Sequence, residues 1–316
     1  MRLFEVIIII LPVFLLMGLG YLLRRVRLLD SSFFHQANRL VYFVCLPALL
    51  FYKIGSADFK SNFNGTMVLG ASAALVIGFL LSYLYAALRR YRASDLGTFS
   101  QGAFRGNLAY VGLPIVLSAY GETAFARAGM LMGCLVPVLN LLSILALVLP
   151  HRKAEEGQPP PTSPWFYDLL GNPLIIGGLL GLIWSYFALP LPTALGRVFD
   201  WLAGIALPLA LMAIGGGFSL QKLRGDLIRP LQASLFKILG LPLITALLMR
   251  ALHVTGLDFA IAVLMAGAPA AAASYITAHQ LKGNAELAGS IIMLSTLLSL
   301  GGYTILLLML GDRIVG

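Results

Sequence analysis

Charge is scarce in this chain. Asp, Glu, Lys and Arg together make up 11% of 316 residues, hydrophobic types make up 59%, and mean hydropathy is +0.90. Soluble domains carry about 25% charged residues. A surface this poor in polar groups cannot face water on every side, so lipid must be the solvent. Cysteine is scarce too: Cys45 and Cys134 are the only two, both within apolar runs. A disulfide framework or a zinc site needs more ligands, closer together. His35, His151, His253 and His279 are too scattered to nominate a metal site. Missing as well are H-E-x-x-H, G-x-S-x-G and the phosphate-binding G-x-x-x-x-G-K-S/T, so neither an enzyme nor a cofactor is expected. Acids avoid the middle of the apolar runs: Glu5, Glu122, Asp168, Asp200, Asp258 and Glu286 all lie near run ends. Sodium and proton pumps commonly hold an acid at mid-membrane, so a cation antiporter is disfavoured.

What is present is a series of apolar runs of about twenty residues, the length a helix needs to cross a bilayer. Membrane barrels instead show strands of roughly ten residues that alternate polar with apolar. The sequence predicts an all-α polytopic membrane protein with ten transmembrane helices, over 3–23, 33–53, 66–88, 97–120, 123–149, 167–189, 197–219, 230–252, 257–281 and 286–310. The first run is too long for a typical signal-peptide core, and Arg24, Arg25 and Arg27 follow it rather than precede it. The net charge of +9 sits in the loops, which signals topology rather than nucleic-acid binding. One face gathers Arg24, Arg25, Arg27, Arg89, Arg90, Arg92, Arg152, Lys153, Lys222, Arg224, Arg229 and Lys282. The other gathers Arg2, Lys53, Lys60, Arg127, Arg197, Arg250 and Arg313. Twelve against seven makes the first face cytoplasmic and leaves both termini outside.

A polar, proline-rich linker over 150–164 divides the chain nearly in half, leaving 1–149 and 165–316. An offset of 161 carries Pro12 onto Pro173, Gly20 onto Gly181 and "LPALL" (46–50) onto "LPLAL" (207–211). An offset of 162 carries Ala71-Ser72 onto Ala233-Ser234, Gly78 onto Gly240 and Gly121 onto Gly283. Each half holds five spans, an odd number, so the second half begins from the opposite side. The predicted architecture is two inverted five-helix repeats.

Under that offset Asn107, in "FRGNLAYVGLPI" (104–115), falls on Pro269, in "AGAPAAAASYITAHQ" (266–280). Both stretches put helix breakers inside an apolar span. Corresponding breaks in inverted repeats are the best sequence pointer to a substrate site. Proline is tolerated as the first residue of a helix, so Pro114 and Pro269 are expected to begin second half-helices. Their free N–H groups would form two positive poles at mid-membrane, suited to a carboxylate. Arg105 lies eight residues past Gly97, about 12 Å along a helix, where a cation faces a cavity or a partner unless it snorkels. Lys237, eight residues past Arg229, raises the same choice. The candidate substrate-binding residues are Arg105, Asn107, Gly112, Pro114, Pro269, Ser274 and Tyr275, with Thr277 alongside. Lys237, His279 and Asn140 are candidates for charge or coupling, His279 through proton uptake.

The stretches "FRGNLAYVGLPI", "VPVLNLL", "NPLIIGGLLGLI", "ALPLALMAIGGG" and "APAAAASYITAHQLKGNAELAG" resemble the auxin efflux carrier family over essentially the whole chain, and within it the bacterial members described as malonate or malate permeases. The resemblance implies ten helices with broken, crossing helices 4 and 9, in a fold similar to that of bile-acid sodium symporters. It implies a scaffold of helices 1, 2, 6 and 7, a transport domain of helices 3–5 and 8–10, an elevator mechanism and a homodimer. The family's crossover asparagine matches Asn107, while Pro269 stands where a second amide would be sought. The expected function is secondary transport of a small organic anion, a mono- or dicarboxylate, across the cytoplasmic membrane, uncoupled or coupled to H+ or Na+. A sodium-coupled symporter of a larger organic anion, or a channel or membrane sensor on the same fold, is the alternative.

Overall fold

A computed structural model describes residues 3–152, 171–217 and 227–311. Most of the linker, the first residues of the sixth expected span, and Lys222 and Arg224 lie outside the described residues. Within them, regular structure is helical apart from one isolated β-bridge. We number the α-helices α1 (Leu3–Arg25), α2 (Ser31–Leu40), α3 (Leu46–Gly55), α4 (Phe59–Asn62), α5 (Gly65–Leu88), α6 (Ala93–Phe104), α7 (Leu113–Arg152), α8 (Pro173–Tyr186), α9 (Thr193–Gly216), α10 (Ile228–Leu235), α11 (Leu241–Ala251), α12 (Gly256–Ala266), α13 (Ala273–Gln280) and α14 (Ala285–Gly311). Seven continuous helices among the described residues are long and apolar enough to cross a membrane, and 173–186 and 256–266 are shorter apolar helices.

Three of the long helices contain a five-residue π-turn: Val41–Cys45 before α3, Leu108–Gly112 before α7 and Phe236–Gly240 before α11. A Leu-Pro step follows each one: Leu46-Pro47, Leu113-Pro114 and Leu241-Pro242. The cause is local. A proline ring collides with the carbonyl four residues back and offers no N–H. Widening the preceding turn moves that carbonyl aside, so the helix continues through the proline. Pro114 therefore does not begin a half-helix as expected: the helix has already restarted at Leu108.

The longest helical run, 108–151, spans 44 residues, or about 66 Å, twice a hydrocarbon core. It turns at Gly121, whose φ of 76° and ψ of −166° are open only to glycine at little cost. The sequence placed a span boundary at the same point.

Close packing rests on glycines. A Cβ on Gly20 would overlap the Met212 carbonyl, and one on Gly215 would overlap the Met17 carbonyl, so α1 and α9 touch backbone to backbone. Gly177 of α8 lies against Pro47 of α3 in the same way, and Gly97 of α6 against Ala146 of α7. Small residues at helix crossings are how apolar helices associate where no water drives them together. Helices α1, α3, α8 and α9 pack mainly on one another, while α5, α6, α7, α10, α11, α12, α13 and α14 form a second mutually packed group.

Candidate functional site

The site lies where two helices break. α6 ends at Phe104, the chain is extended at Arg105, and the π-turn begins at Leu108 after Asn107 (φ −82°, ψ 68°). The span starts at Ala93, four residues earlier than expected, so α6 carries Arg105 about 18 Å along its axis. In the other half α12 ends at Ala266 and α13 begins at Ala273. Pro269 lies inside this second break rather than starting a half-helix, because three more residues of non-helical chain follow it.

The two breaks pair with each other. Gly106 and Ala270 form an antiparallel bridge, in which Asn107 N–H donates to the Pro269 carbonyl at 2.7 Å and Ala271 N–H to the Arg105 carbonyl at 3.0 Å. Ala270 N–H donates to Ser295 Oγ at 3.0 Å. These bonds satisfy part of the backbone freed by the breaks inside the protein, which is the condition for irregular chain at membrane depth. Proline's lack of an N–H costs nothing here, since only its carbonyl is used. The second expected pole is partly closed, because Ser274 and Tyr275 N–H donate back to the Ala271 and Ala272 carbonyls. At the first pole the Asn107 carbonyl takes the N–H groups of Val111 and Gly112, and the Asn107 carboxamide does not cap the helix.

Arg105 emerges beside this bridge. Its Nη1 donates to Thr277 Oγ1 at 3.1 Å and its Nη2 to Asn140 Oδ1 at 2.9 Å. With the Gln101 carboxamide oriented to suit its neighbours, its oxygen accepts from Arg105 Nη1 at 3.1 Å and from Thr277 Oγ1 at 2.7 Å, and its nitrogen donates to the Ser274 carbonyl at 3.2 Å. All three acceptors are neutral, and Arg105 has no carboxylate partner among the described residues. Arg105 as a whole residue is half-buried. Ser274 is buried, and its hydroxyl has no hydrogen-bond partner among the described residues.

Other candidates lie apart from this cluster. Tyr275 and His279 are exposed on α13. Gly112 is buried against Met265 of α12, where a Cβ would sit 3.0 Å from the sulfur. Lys237 does not snorkel: it is fully buried, and its ammonium donates to the Ala266 carbonyl at 2.5 Å, at the carboxyl end of α12. It shares with Gly106, Phe104 and Thr245 a void of about 20 Å³, room for one water. Pro114 lines a separate cavity of about 420 Å³ between α1, α3, α7 and α9, which also includes Lys53, Glu122 and Asp200, the first two joined at 3.0 Å.

Sequence reasoning missed Gln101. It lies one helical turn before Arg105, at i and i+4, the spacing that places two side chains on one face. That was the available signal. Among the described residues no cluster of three or more His, Cys, Asp or Glu side chains could hold a metal ion.

Comparison with known proteins finds relatives named as transporters. The chain is 27% identical to an uncharacterized transporter of Methanothermobacter thermautotrophicus, over 92% of this chain and 94% of that one. It is 25% identical to a Rhizobium meliloti protein named "Putative malonate transporter", over 96% and 95% of the two chains. It is 22% identical to an uncharacterized transporter of Methanocaldococcus jannaschii, over 92% and 94%. The family profile described as membrane transport protein matches residues 5–307. With apolar helices throughout and a match over nearly its whole length, the chain is an integral membrane protein that belongs to this transport family, that of the auxin efflux carriers.

Proposed function

We propose that this protein is a secondary transporter of a small organic anion, a mono- or dicarboxylate, with its substrate site at the Arg105 face of the paired breaks. One observation carries the reading: the Arg105 guanidinium is bound only by neutral acceptors. A charge drawn out of water is stabilised by an opposite charge, and the described residues supply none there. A carboxylate can take that place with a bidentate bond. Asn107, Ser274 and the first turn at Leu108 offer the neighbouring donors. The relative named for malonate supports a substrate of this class.

In this reading the chain crosses the cytoplasmic membrane ten times, as two inverted five-helix repeats. The kinked 108–151 run supplies the second half of the fourth span and the whole of the fifth, and the broken pairs α6/α7 and α12/α13 cross at mid-membrane. Both termini face outward. α1, α2–α3, α8 and α9 form the scaffold of an elevator, the remaining helices form the moving body, and two copies form a homodimer. The separation of packing into two groups supports this division. Lys237, at the carboxyl end of α12, and His279, exposed on α13, are the candidates for charge or coupling.

The test is uptake of mono- and dicarboxylates into proteoliposomes under separately imposed pH, sodium and voltage gradients. Saturable uptake of at least one small carboxylate supports the reading. Uptake restricted to cations or uncharged solutes removes it.

A further inference from the structure

Two side-chain clusters away from the Arg105 site share one design. Asp95 is the third residue of α6 and is buried. Its Oδ2 accepts from Arg229 Nη1 at 2.7 Å, and its Oδ1 accepts from Asn284 Nδ2 at 2.8 Å. Asn284 precedes α14, and its Oδ1 accepts from Leu287 N–H at 3.0 Å. Its own N–H reaches back to the Ser94 carbonyl and to Thr98 Oγ1.

Asp258 is the third residue of α12. Its Oδ1 accepts from Arg127 Nη1 at 2.9 Å, and its Oδ2 accepts from Asn64 Nδ2 at 2.8 Å. Asn64 is the N-cap of α5, and its Oδ1 accepts from Met67 N–H at 3.0 Å. Arg127 Nε also donates to Asn62 Oδ1 at 3.2 Å.

Each cluster is an aspartate in the first turn of a broken helix. Each aspartate is held by one arginine and by one asparagine that caps a third helix. Each cluster joins the two halves of the chain: Asp95 to Arg229 and Asn284, Asp258 to Asn64 and Arg127. The roles are exchanged between them. The first takes its arginine from the start of α10 and its asparagine from the start of α14. The second takes its asparagine from the start of α5 and its arginine from α7.

The consequence is mechanical. α6 leads from Asp95 to Arg105, and α12 leads from Asp258 to the break that holds Pro269. The far ends of both half-helices are fixed by charge-assisted bonds, and their near ends are joined by the Gly106–Ala270 bridge. We infer that Asp95 and Asp258 are positioning residues for the crossover: each clamps one half-helix to the opposite half of the chain, and together they make the two breaks a single body. The inference goes beyond the transport reading and does not need the solute to be an anion.

Amide hydrogen exchange on the full chain in lipid nanodiscs, with no ligand added, tests this. Asn107 N–H and Ala271 N–H cross between the breaks, so peptides covering 104–112 and 267–273 report the bridge. Asp95→Asn should speed exchange in its own first turn and also in 267–273, and Asp258→Asn should speed it in 104–112, each by at least about threefold. A purely local role deprotects only 93–98 or 256–261, and that result overturns the inference, as does unchanged exchange in all four segments. Should either variant fail to fold, Asn64→Ser and Asn284→Ser keep a capping oxygen and lose only the bond to the aspartate. They should show the same cross-break deprotection, and its absence overturns the inference equally.

Discussion

Removing the Arg105 side chain is the perturbation that bears hardest on the proposed site. Arg105→Ala deletes a guanidinium held at 2.9 Å by Asn140 and at 3.1 Å by Thr277, with no carboxylate among the described residues to leave stranded. The fold should therefore survive, because what remains unpaired are neutral oxygens that accept hydrogen bonds from water. A bond between a charged group and a carboxylate contributes about 1.5–3 kcal/mol. Its loss corresponds to roughly ten- to a hundredfold weaker binding. Arg105→Lys should recover only part of this, since an ammonium cannot present the planar fork. Asn107→Ala should cost less, about 1 kcal/mol, because the backbone bond to Pro269 survives. Arg25→Ala serves as the control, since Arg25 is exposed and donates to the Tyr21 hydroxyl at 3.3 Å on its own helix. The assay is concentration-dependent carboxylate binding to purified protein, read by calorimetry or by ligand-induced thermal shift. If Arg105→Ala binds as tightly as the parent while keeping its thermal transition, the guanidinium is not part of the site and the reasoning from its unpaired charge fails.

Other outcomes follow from the same physics. Gly215→Ala should lower Tm, because its methyl would overlap the Met17 backbone, an overpacking worth about 1–3 kcal/mol. Gly204→Ala on the same helix, where nothing lies within 4 Å, should leave Tm unchanged or raised. Replacing residues 154–163 with a flexible linker of equal length should leave uptake near that of the parent, a prediction drawn from composition alone. Cysteines placed at either terminus should react with a membrane-impermeant thiol reagent in intact cells; protection of both would invert the proposed topology.

The sequence located the breaks, because Gly, Pro and Arg are conspicuous in an apolar span. It misjudged what the prolines do there. Pro114 is accommodated by a widened turn that starts at Leu108, and Pro269 serves as an acceptor within the bridge. Neither role leaves a mark on a one-dimensional pattern, since each depends on a neighbour far along the chain. Lys237 shows the same limit. Its distance from a helix end fits snorkelling as well as burial, and only the Ala266 carbonyl, 29 residues away, decides between them. Arg24 reads as a loop cation, yet its Nη1 donates to the Gly216 carbonyl at 2.6 Å. Asp258 reads as a span-end acid and Asp95 falls just before the expected fourth span, and their arginine and asparagine partners lie 131 to 194 residues away in sequence.

The central claim is that a small carboxylate is carried across the membrane at the paired breaks by alternating access. Counterflow in proteoliposomes tests it most directly: vesicles preloaded with an unlabelled carboxylate are diluted into labelled carboxylate at a far lower concentration. The account predicts transient accumulation of label above its equilibrium level, saturable in external substrate and weakened by Arg105→Ala. Label that only equilibrates, with flux rising linearly and without saturation, would mean a passive pore and would contradict the account.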